Sequence, residues 1–233
     1  MTYTRSTLAA LLIAAAACAR SGADPRGTAI LKQSFATLHA ARTYRAKVVR
    51  TDQQGRLSSE HEGVILAMKP NYMKYQLGGR MGATFVSDGK SYYIFARGGQ
   101  FYQKLAVEAH PTEFPGEWEG EIDAFFGGAA LVDKVQATYA GATRFAGKPC
   151  DLVRAAMKDP DRTVLYTIGR SDHLIYRASL TITQNGRSVT QTNTLSEIKL
   201  NGPMRPGEFR FIPAEGMREA PARPAPPRDR IGL

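Results

Sequence analysis

The stretch Glu62–Phe95, EGVILAMKPNYMKYQLGGRMGATFVSDGKSYYIF, decides the fold. It contains short apolar runs separated by a Lys-Pro-Asn break and by a Ser-Asp-Gly-Lys turn. Between them, Met73, Tyr75 and Leu77 alternate with other side chains, which is the period of a strand with one buried face. The Asp-Gly pair is a strong hairpin signal, because both residues tolerate positive φ. The stretch therefore predicts consecutive antiparallel strands, and it contains no active-site motif.

Similar strand-like runs continue on both sides of this stretch. Short turns separate most of them, so we expect antiparallel meanders. The predicted strands cover residues 44–52, 57–68, 72–77, 83–86, 91–96, 100–105, 136–145, 151–156, 163–168, 174–183 and 188–200, and a last short strand contains Phe209 and Phe211.

Two segments have a helical pattern instead. Residues 28–42 place apolar side chains on one face, with Thr28 as the predicted N-cap. Residues 106–134 are rich in Pro, Gly and acidic side chains, and their apolar residues predict one or two short helices. We interpret the acidic run at 108–123 as a solvated surface of these helices. The alternative, a pair of catalytic carboxylates, has less support.

These elements predict an α+β fold that is mainly antiparallel β. A single sheet of about ten to eleven strands must curl. We therefore expect a curved half-barrel, an incomplete β-barrel with short helices covering its concave face. The folded domain is predicted at 28–214, and the Pro/Arg-rich residues 215–233 are expected to form a disordered tail.

The N-terminal segment has the pattern of an export signal. Residues 1–17 carry one cation followed by an apolar run too short for a spanning helix, which predicts a signal peptide. Cys18 follows three alanines, as in a lipoprotein processing site where the cysteine is acylated. Cleavage by an ordinary signal peptidase after Ala17 or Ala19 is the alternative. Residues 18–27 would form a tether, and acylation would anchor the protein. By resemblance to sorted lipoproteins, the absence of Asp after the cysteine favours the outer membrane.

The composition limits the partners. The chain has 233 residues and a formal net charge of +10. Its basic residues are scattered, which favours a solvated basic surface over a dedicated site for acidic headgroups. Nucleic acid is not expected as a partner of an exported protein. Apart from Cys18, the chain contains only Cys150, so we expect no internal disulfide and interpret Cys150 as a small buried hydrophobe.

The sequence contains no motif for catalysis or metal binding. The histidines are far apart and lack metal-ligand spacing; they are His39, His61, His110 and His173. The patterns Gly-x-Ser-x-Gly and His-Glu-x-x-His are absent. We therefore expect no enzyme activity, no metal and no cofactor.

Three motifs, in this order, resemble the LolA/LolB-like periplasmic lipoprotein carriers. They are the run 63–71 with the aromatic strand after it, the Val-Ser-Asp-Gly-Lys hairpin at 86–90, and the closing run 207–213. The strand at 147–151 is similar to one in an uncharacterised LolA-like periplasmic subgroup. The resemblance covers residues 28–219 and implies a half-barrel with a helical lid. In the carriers an Arg before Pro-Asn bonds to the lid; here Lys69 takes that position, and its lid latch would be weaker because Lys lacks the planar guanidinium.

The resemblance implies a monomeric, non-enzymatic module of the periplasm that binds lipid or lipoprotein acyl chains in transport or sorting. Its predicted lining residues are Phe35, Leu38, Met73, Tyr75, Leu77, Phe85, Phe125, Phe126 and Leu131. The same residues suit ordinary core packing. The alternative function is that of an envelope sensor or scaffold domain that binds a protein partner.

Overall fold

The computed structural model describes residues 24–79, 83–96, 98–108, 111, 120–157 and 161–220. Its helices are α1 (Pro25–Ala40), α2 (Glu121–Gly127) and two 3₁₀ helices, Gly128–Lys134 and Pro206–Phe209. Its strands are β1 (Thr43–Gln54), β2 (Leu57–Met68), β3 (Tyr72–Leu77), β4 (Ala83–Asp88), β5 (Ser91–Ala96), β6 (Phe101–Ala106), β7 (Gln136–Phe145), β8 (Lys148–Ala156), β9 (Arg162–Gly169), β10 (Ile175–Gln184), β11 (Arg187–Leu200) and β12 (Arg218–Glu219).

Two meanders meet at the centre of one open sheet. The strand order is β12-β6-β5-β4-β3-β2-β1-β11-β10-β9-β8-β7, and only the short β12–β6 pair is parallel. β1 pairs with both β2 and β11 and so joins the two meanders. The predicted α+β half-barrel is confirmed, with twelve strands rather than ten to eleven.

The sheet order explains why the chain has helices in its middle. β6 lies beside the short edge strand β12, and β7 is the opposite edge strand, so the connection between β6 and β7 has to cross the sheet. This crossing carries α2 and the 3₁₀ helix Gly128–Lys134, which together we call the lid. The predicted short helices in this segment are therefore present, and they share the concave face with α1.

The first helix begins earlier than the sequence pattern predicts. Its N-cap is Asp24 rather than Thr28: Asp24 Oδ1 accepts a hydrogen bond from Arg26 N at 3.0 Å. Pro25 suits the first helical position, because its missing N–H would have no partner there. The residues 25–27, expected in the tether, are thus the first turn of α1. The other Asp24 oxygen accepts from Tyr139 N at 2.7 Å and fixes the start of α1 on β7.

Phe209 and Phe211 do not form the expected last strand. Phe209 ends a 3₁₀ helix, whose start is fixed by Glu208 Oε1 accepting from Arg205 N at 3.0 Å. Both aromatic rings pack against the convex face of the sheet. We call residues 206–211 the convex cover.

The C-terminal region is ordered further than predicted. Arg218 and Glu219 form β12 beside Phe101 and Tyr102 of β6. Ala220 N donates to Tyr102 O at 2.7 Å. The first residues of the expected tail are therefore part of the sheet, whereas residues 221–233 lie outside the described residues.

Candidate ligand-binding site

The concave face carries a row of apolar side chains across β2 to β5. The strand register places Ile65 opposite Tyr75, Tyr75 opposite Phe85, and Phe85 opposite Ile94. Directly opposed residues point to the same side of a sheet, so a row of apolar and aromatic side chains crosses β2 to β5. The rings of Tyr75 and Phe85 lie 6.2 Å apart. This row forms the floor of the candidate site.

Helix α1 covers the concave face on the side of β7, β8 and β9. Phe35 lies edge-on to Tyr166 of β9, with ring centroids 6.0 Å apart, and Leu38 is buried. The helix approaches β7 so closely at Gly27 that an added Cβ would lie 2.5 Å from Tyr139 N. Only glycine fits this contact, and the position of α1 on the sheet is fixed by it.

The lid covers the neighbouring part of the concave face. Phe125 of α2 contacts Tyr44 of β1 with ring centroids 6.2 Å apart. Phe126 lies edge-on to Phe125 at 4.8 Å, and Ile122 is buried as well. Contacts to the 3₁₀ helix include an exposed ion pair between Lys32 and Asp133 at 2.7 Å. Such surface pairs contribute little, so the lid is held mainly by its apolar side chains.

The nine predicted lining residues come together in one place. Seven of them are buried in a single apolar cluster, and Phe85 and Leu131 pack against it half-buried. The buried ones are Phe35, Leu38, Met73, Tyr75, Leu77, Phe125 and Phe126. With the lid in this position they contact one another and the sheet. Their role in lining a ligand space stays a prediction.

Lys69 lies where the C-terminal end of α1 meets the lid. Its Nζ donates to the carbonyl oxygen of His39, lies 3.3 Å from His39 Nδ1 and sits 5.4 Å above the Phe125 ring. His39 Nδ1 is also 3.2 Å from the Phe125 carbonyl oxygen. The polar link from Lys69 to the lid therefore passes through His39. Burial lowers the pKa of Lys69.

No sequence motif reveals the role of His39, because a single histidine forms no motif. Its spacing does give a signal: His39 follows Phe35 by one helical turn, which places both on adjoining parts of one helix face. Gly128 of the lid has φ +67°, and an added Cβ would lie 2.8 Å from the His39 ring. The lid backbone thus packs directly on this histidine.

Polar groups lie beneath the lid among the apolar side chains. Glu121 of α2 and Tyr44 of β1 are 2% and 1% exposed. Neither Glu121 Oε2 nor the Tyr44 hydroxyl has a hydrogen-bond partner within the described part of the chain. Tyr75 donates its hydroxyl hydrogen to Asn193 Oδ1 at 3.2 Å. A buried polar group without a partner costs about 1–3 kcal/mol, so this arrangement opposes the closed lid.

Burial raises the pKa of the Glu121 carboxyl to about 7. Burial also raises the pKa of Tyr44 well above its usual value, and the nearby Glu121 charge adds to this shift. The expectation that the acidic run forms a solvated surface is thus wrong for Glu121. The missed signal is its spacing of four residues before Phe125, which places it on the buried face of α2.

The sequence motifs of the resemblance have structural roles at the edge of the site. Asn71 Nδ2 donates to the carbonyl oxygens of Gly89 at 3.0 Å and Glu108 at 3.1 Å. Ser87 Oγ donates to Asn71 O at 2.5 Å. These bonds connect the β2–β3 turn, the β4–β5 hairpin and the start of the crossing segment. Asn71 and Ser87 of these motifs therefore hold the sheet and the crossing segment in register.

The apolar concave surface becomes exposed towards β6. Tyr92 of β5 is buried, whereas Leu105, opposite it on β6, is 40% exposed. Phe101, on the same face of β6, is 53% exposed. A cleft of about 540 Å³ lies beside it, between residues 98–101 and 214–218. The cleft contains none of the predicted lining residues, so we regard the exposed concave surface of β6 as the open end of the site.

Other reactive groups do not form a site. In the described ranges, His, Cys, Asp and Glu side chains form no group of three that could bind a metal ion. Cys150 is buried, and burial raises the pKa of its thiol, which disfavours the reactive thiolate. None of the described helices is both long and apolar enough to cross a membrane. Cys18 and the expected signal peptide lie outside the described residues.

Comparison with known proteins supports the fold. No protein-family model matches the chain, and no curated protein is similar to it in sequence. Among solved structures, an uncharacterised conserved protein from Thermus thermophilus is 10% identical with a TM-score of 0.54, and the match covers 83% of this chain and 98% of that one. At this identity the likeness concerns the fold alone.

Two further matches have lower TM-scores. The lipoprotein LppX from Mycobacterium tuberculosis is 16% identical with a TM-score of 0.49, covering 78% of this chain and 98% of that one. A LolA superfamily protein from Nitrosomonas europaea is 9% identical with a TM-score of 0.39, covering 79% and 97%. The open twelve-stranded sheet with helices on its concave face is the architecture that the resemblance of the sequence motifs implies.

Proposed function

We propose that this protein is a non-enzymatic binding module that holds acyl chains of a lipid or lipoprotein between the concave face and the lid. The observation that carries the proposal is the continuity of the apolar concave surface. It extends from Tyr75, fully buried under the lid, through Tyr92 to Leu105, which is exposed on β6. An acyl chain that covers the exposed end can extend under the lid by replacing the contacts of the lid with its own.

The magnitudes of the apolar contacts permit such an exchange. Moving the lid away from the sheet exposes Ile122, Phe125, Phe126 and Val132, at about 1.5–3 kcal/mol each. Each buried methylene of a ligand contributes about 0.8 kcal/mol, so a long acyl chain supplies roughly 10 kcal/mol before its ordering is counted. The proposed role of Lys69 is to hold the lid closed through His39 until a ligand arrives.

Ligand binding can be measured with delipidated protein and a fluorescent fatty acid or a lipopeptide. We expect saturable binding, and we expect Tyr75→Glu to abolish it because a carboxylate would lie on the floor of the site. Gln76→Glu is the matched control, since it places the same group next along β3 on the opposite face.

A second variant keeps the test valid if Tyr75→Glu does not fold. Phe101→Asp changes an exposed side chain, so the protein should fold normally and bind the fatty acid more weakly. The proposal fails if the delipidated wild type shows no saturable binding. If a pull-down from envelope extract then recovers one protein partner and no lipid, the sensor or scaffold function is the better description.

We further propose that the protein works in the periplasm, in lipoprotein transport or sorting, and is anchored to the outer membrane by acylated Cys18. The export pattern of residues 1–17 supports this localisation. Mass spectrometry of the mature N-terminus tests it. A diacylglyceryl mass on Cys18 is the expected result, whereas an unmodified Cys18 or a chain that begins at Arg20 would contradict anchoring.

A further inference from the structure

Exposed apolar side chains are concentrated at one edge of the sheet. Of the five large apolar side chains that are exposed among the described residues, three lie on or beside β6: Phe101, Leu105 and Ile212. Ile212 follows the convex cover in sequence and lies outside the concave site. Together with three cations we call these residues the β6 rim. The cations are Lys104, Arg210 and Arg218.

The segment that leads from the convex cover to β12 brings Ile212 to this edge. The Phe211 ring packs on the convex side of β6, with its centroid 4.9 Å from that of Tyr102. Further along the same segment, Arg218 is the strand partner of Phe101. Ile212 therefore lies between two points that are both fixed to the start of β6.

The cations of the rim flank its apolar side chains. Lys104, Arg210 and Arg218 are exposed. Lys104 precedes Leu105 in β6, and Arg218 lies beside Phe101 across the strand pair. Exposed apolar groups beside cations suit the surface of an anionic bilayer, because the apolar groups enter the headgroup region and the cations are attracted to the lipid phosphates.

The charge around the rim is positive on balance. The exposed carboxylates of the same segment are Glu215 and Glu219, and Tyr102 donates its hydroxyl hydrogen to Glu219 Oε2 at 3.4 Å. Residues 221–233, which follow in the sequence, add three arginines and one aspartate. The whole chain has a formal net charge of +10, so a negatively charged partner is favoured over a neutral one.

We propose that the β6 rim is a docking surface for an anionic phospholipid bilayer. Phe101, Leu105 and Ile212 enter the headgroup region, and the neighbouring cations contact lipid phosphates. Because β12 already pairs with the start of β6, the rim presents side chains there rather than unpaired backbone groups. Such a surface suits lipid better than an added strand of a protein partner. The contact goes beyond the proposed acyl-chain site and needs no acyl group on Cys18.

Vesicle co-sedimentation tests the rim directly. The protein is the mature chain with Cys18→Ser, so that no acyl group anchors it. Binding is measured on vesicles of phosphatidylcholine alone and on vesicles that also contain phosphatidylglycerol. We expect clear binding to the anionic vesicles that weakens as the salt concentration rises, because salt screens the attraction. Binding to the neutral vesicles should be much weaker.

Two variants separate the apolar contribution from the electrostatic one. Ile212→Ser should weaken binding to the anionic vesicles by roughly tenfold, because one large apolar side chain no longer leaves water. Arg210→Gln should weaken it by roughly fivefold and reduce its salt dependence. Leu57→Ser is the matched control and should bind like the wild type. Leu57 and Ile212 are both 74% exposed, but Leu57 is on β2, with three strands between β2 and β6.

A fluorophore shows which residue enters the lipid. An environment-sensitive label attached to the Ile212→Cys variant should shift its emission to the blue on anionic vesicles, whereas the same label on the Leu57→Cys variant should not. Cys150 is buried, so the label reacts with the introduced thiol. Thermal melts verify that the variants are folded.

Three results would overturn the inference. One is the absence of binding to anionic vesicles, and another is an equal loss of binding in Leu57→Ser. The third is binding that Ile212→Ser leaves unchanged, since the protein would then adsorb through its charge alone. The proposed function is tested separately with a fluorescent fatty acid, which Ile212→Ser should bind like the wild type. Failure of vesicle binding therefore leaves acyl-chain binding intact, and the reverse also holds.

Discussion

The two faces of the sheet are covered in chemically different ways. On the convex face, the Phe209 ring lies 5.6 Å from Tyr72, and the Phe211 ring stacks on Tyr93 at 4.4 Å. On the concave face, α2 brings the Glu121 carboxyl into the same apolar interior as Phe125. The convex cover adds an exposed ion pair between Arg45 and Glu208 at 2.6 Å to its ring contacts, whereas the lid carries a buried carboxyl oxygen without a partner among the described residues. We infer that the convex cover is permanent and that the lid is the removable one.

The largest expected effect comes from the convex cover. Phe209 is fully buried, so Phe209→Ala should lower the free energy of unfolding by about 3–5 kcal/mol. Phe126→Ala, in the lid, should cost less globally and instead increase amide hydrogen exchange in α2. Denaturant unfolding and hydrogen exchange measure the two effects. Equal global losses would contradict the comparison. Ile212→Ala, at the exposed residue that follows the convex cover, should change little.

The next effect is the pH dependence contributed by Glu121. The carboxyl titrates near 4.5 when unfolded and at about 7 in the folded protein, so between these values the unfolded state loses the proton and the folded state keeps it. The contribution of Glu121 to the free energy of unfolding therefore falls by about 3 kcal/mol as the pH rises from about 4.5 to about 7. It stays at that lower level at higher pH. Glu121→Gln should remove this fall. The quantity to measure is the difference in free energy of unfolding between variant and wild type from pH 4.5 to 8. A difference independent of pH would show that the carboxyl is not buried under the lid.

A smaller effect is expected at the Lys69 latch. Lys69→Met removes the hydrogen bonds to His39 and should weaken lid closure by about 1 kcal/mol. Stopped-flow uptake of a fluorescent fatty acid should become faster, and hydrogen exchange at the end of α1 should increase. Lys69→Arg should slow uptake, because a guanidinium can make more simultaneous hydrogen bonds. Lys74→Met, on the opposite face of β3, is the matched control; if it has the same effect, Lys69 is not a latch.

The smallest effect is local and concerns the start of α1. Asp24→Ala removes the acceptor for Arg26 N and for Tyr139 N. Hydrogen exchange should rise at these amides while ligand affinity and the rest of α1 stay unchanged. A loss of binding would mean that α1 moves together with the lid, and the distinction between a fixed and a removable cover would need to be redrawn.

Local patterns predict most of the sheet because they depend on neighbouring residues. The alternation around Tyr75 and the hairpin glycine at 89 are sufficient for β3, β4 and β5. The start of α1 is not predicted, because Asp24 is fixed partly by Tyr139, which is distant in sequence. The alternation of Phe209 and Phe211 resembles a strand, but both rings reach the convex face from a 3₁₀ helix and the residues after it.

The candidate site could be predicted only in its apolar part. Periodicity identifies Met73 and Phe125 as inward-facing, since burial follows the strand and helix periods. Glu121 is missed because acidic side chains are normally exposed, and the exposed His39 is missed because a single histidine forms no motif. The burial of Glu121 and the contact of His39 with the lid depend on the lid crossing the sheet. This crossing follows from the strand order, which no local pattern contains.

An open sheet has two edges that can pair with strands of other chains, and both edges are modified here. On one side, β12 covers the start of β6. On the other, the Asp24 carboxylate occupies the Tyr139 N–H, and the register of β7 shifts between Tyr139 and Gly141. Capped and irregular edges disfavour strand addition. The short parallel pair at the C-terminal end therefore acts against self-association, because it lies beside the exposed Phe101, where an uncovered edge and an apolar surface would otherwise coincide.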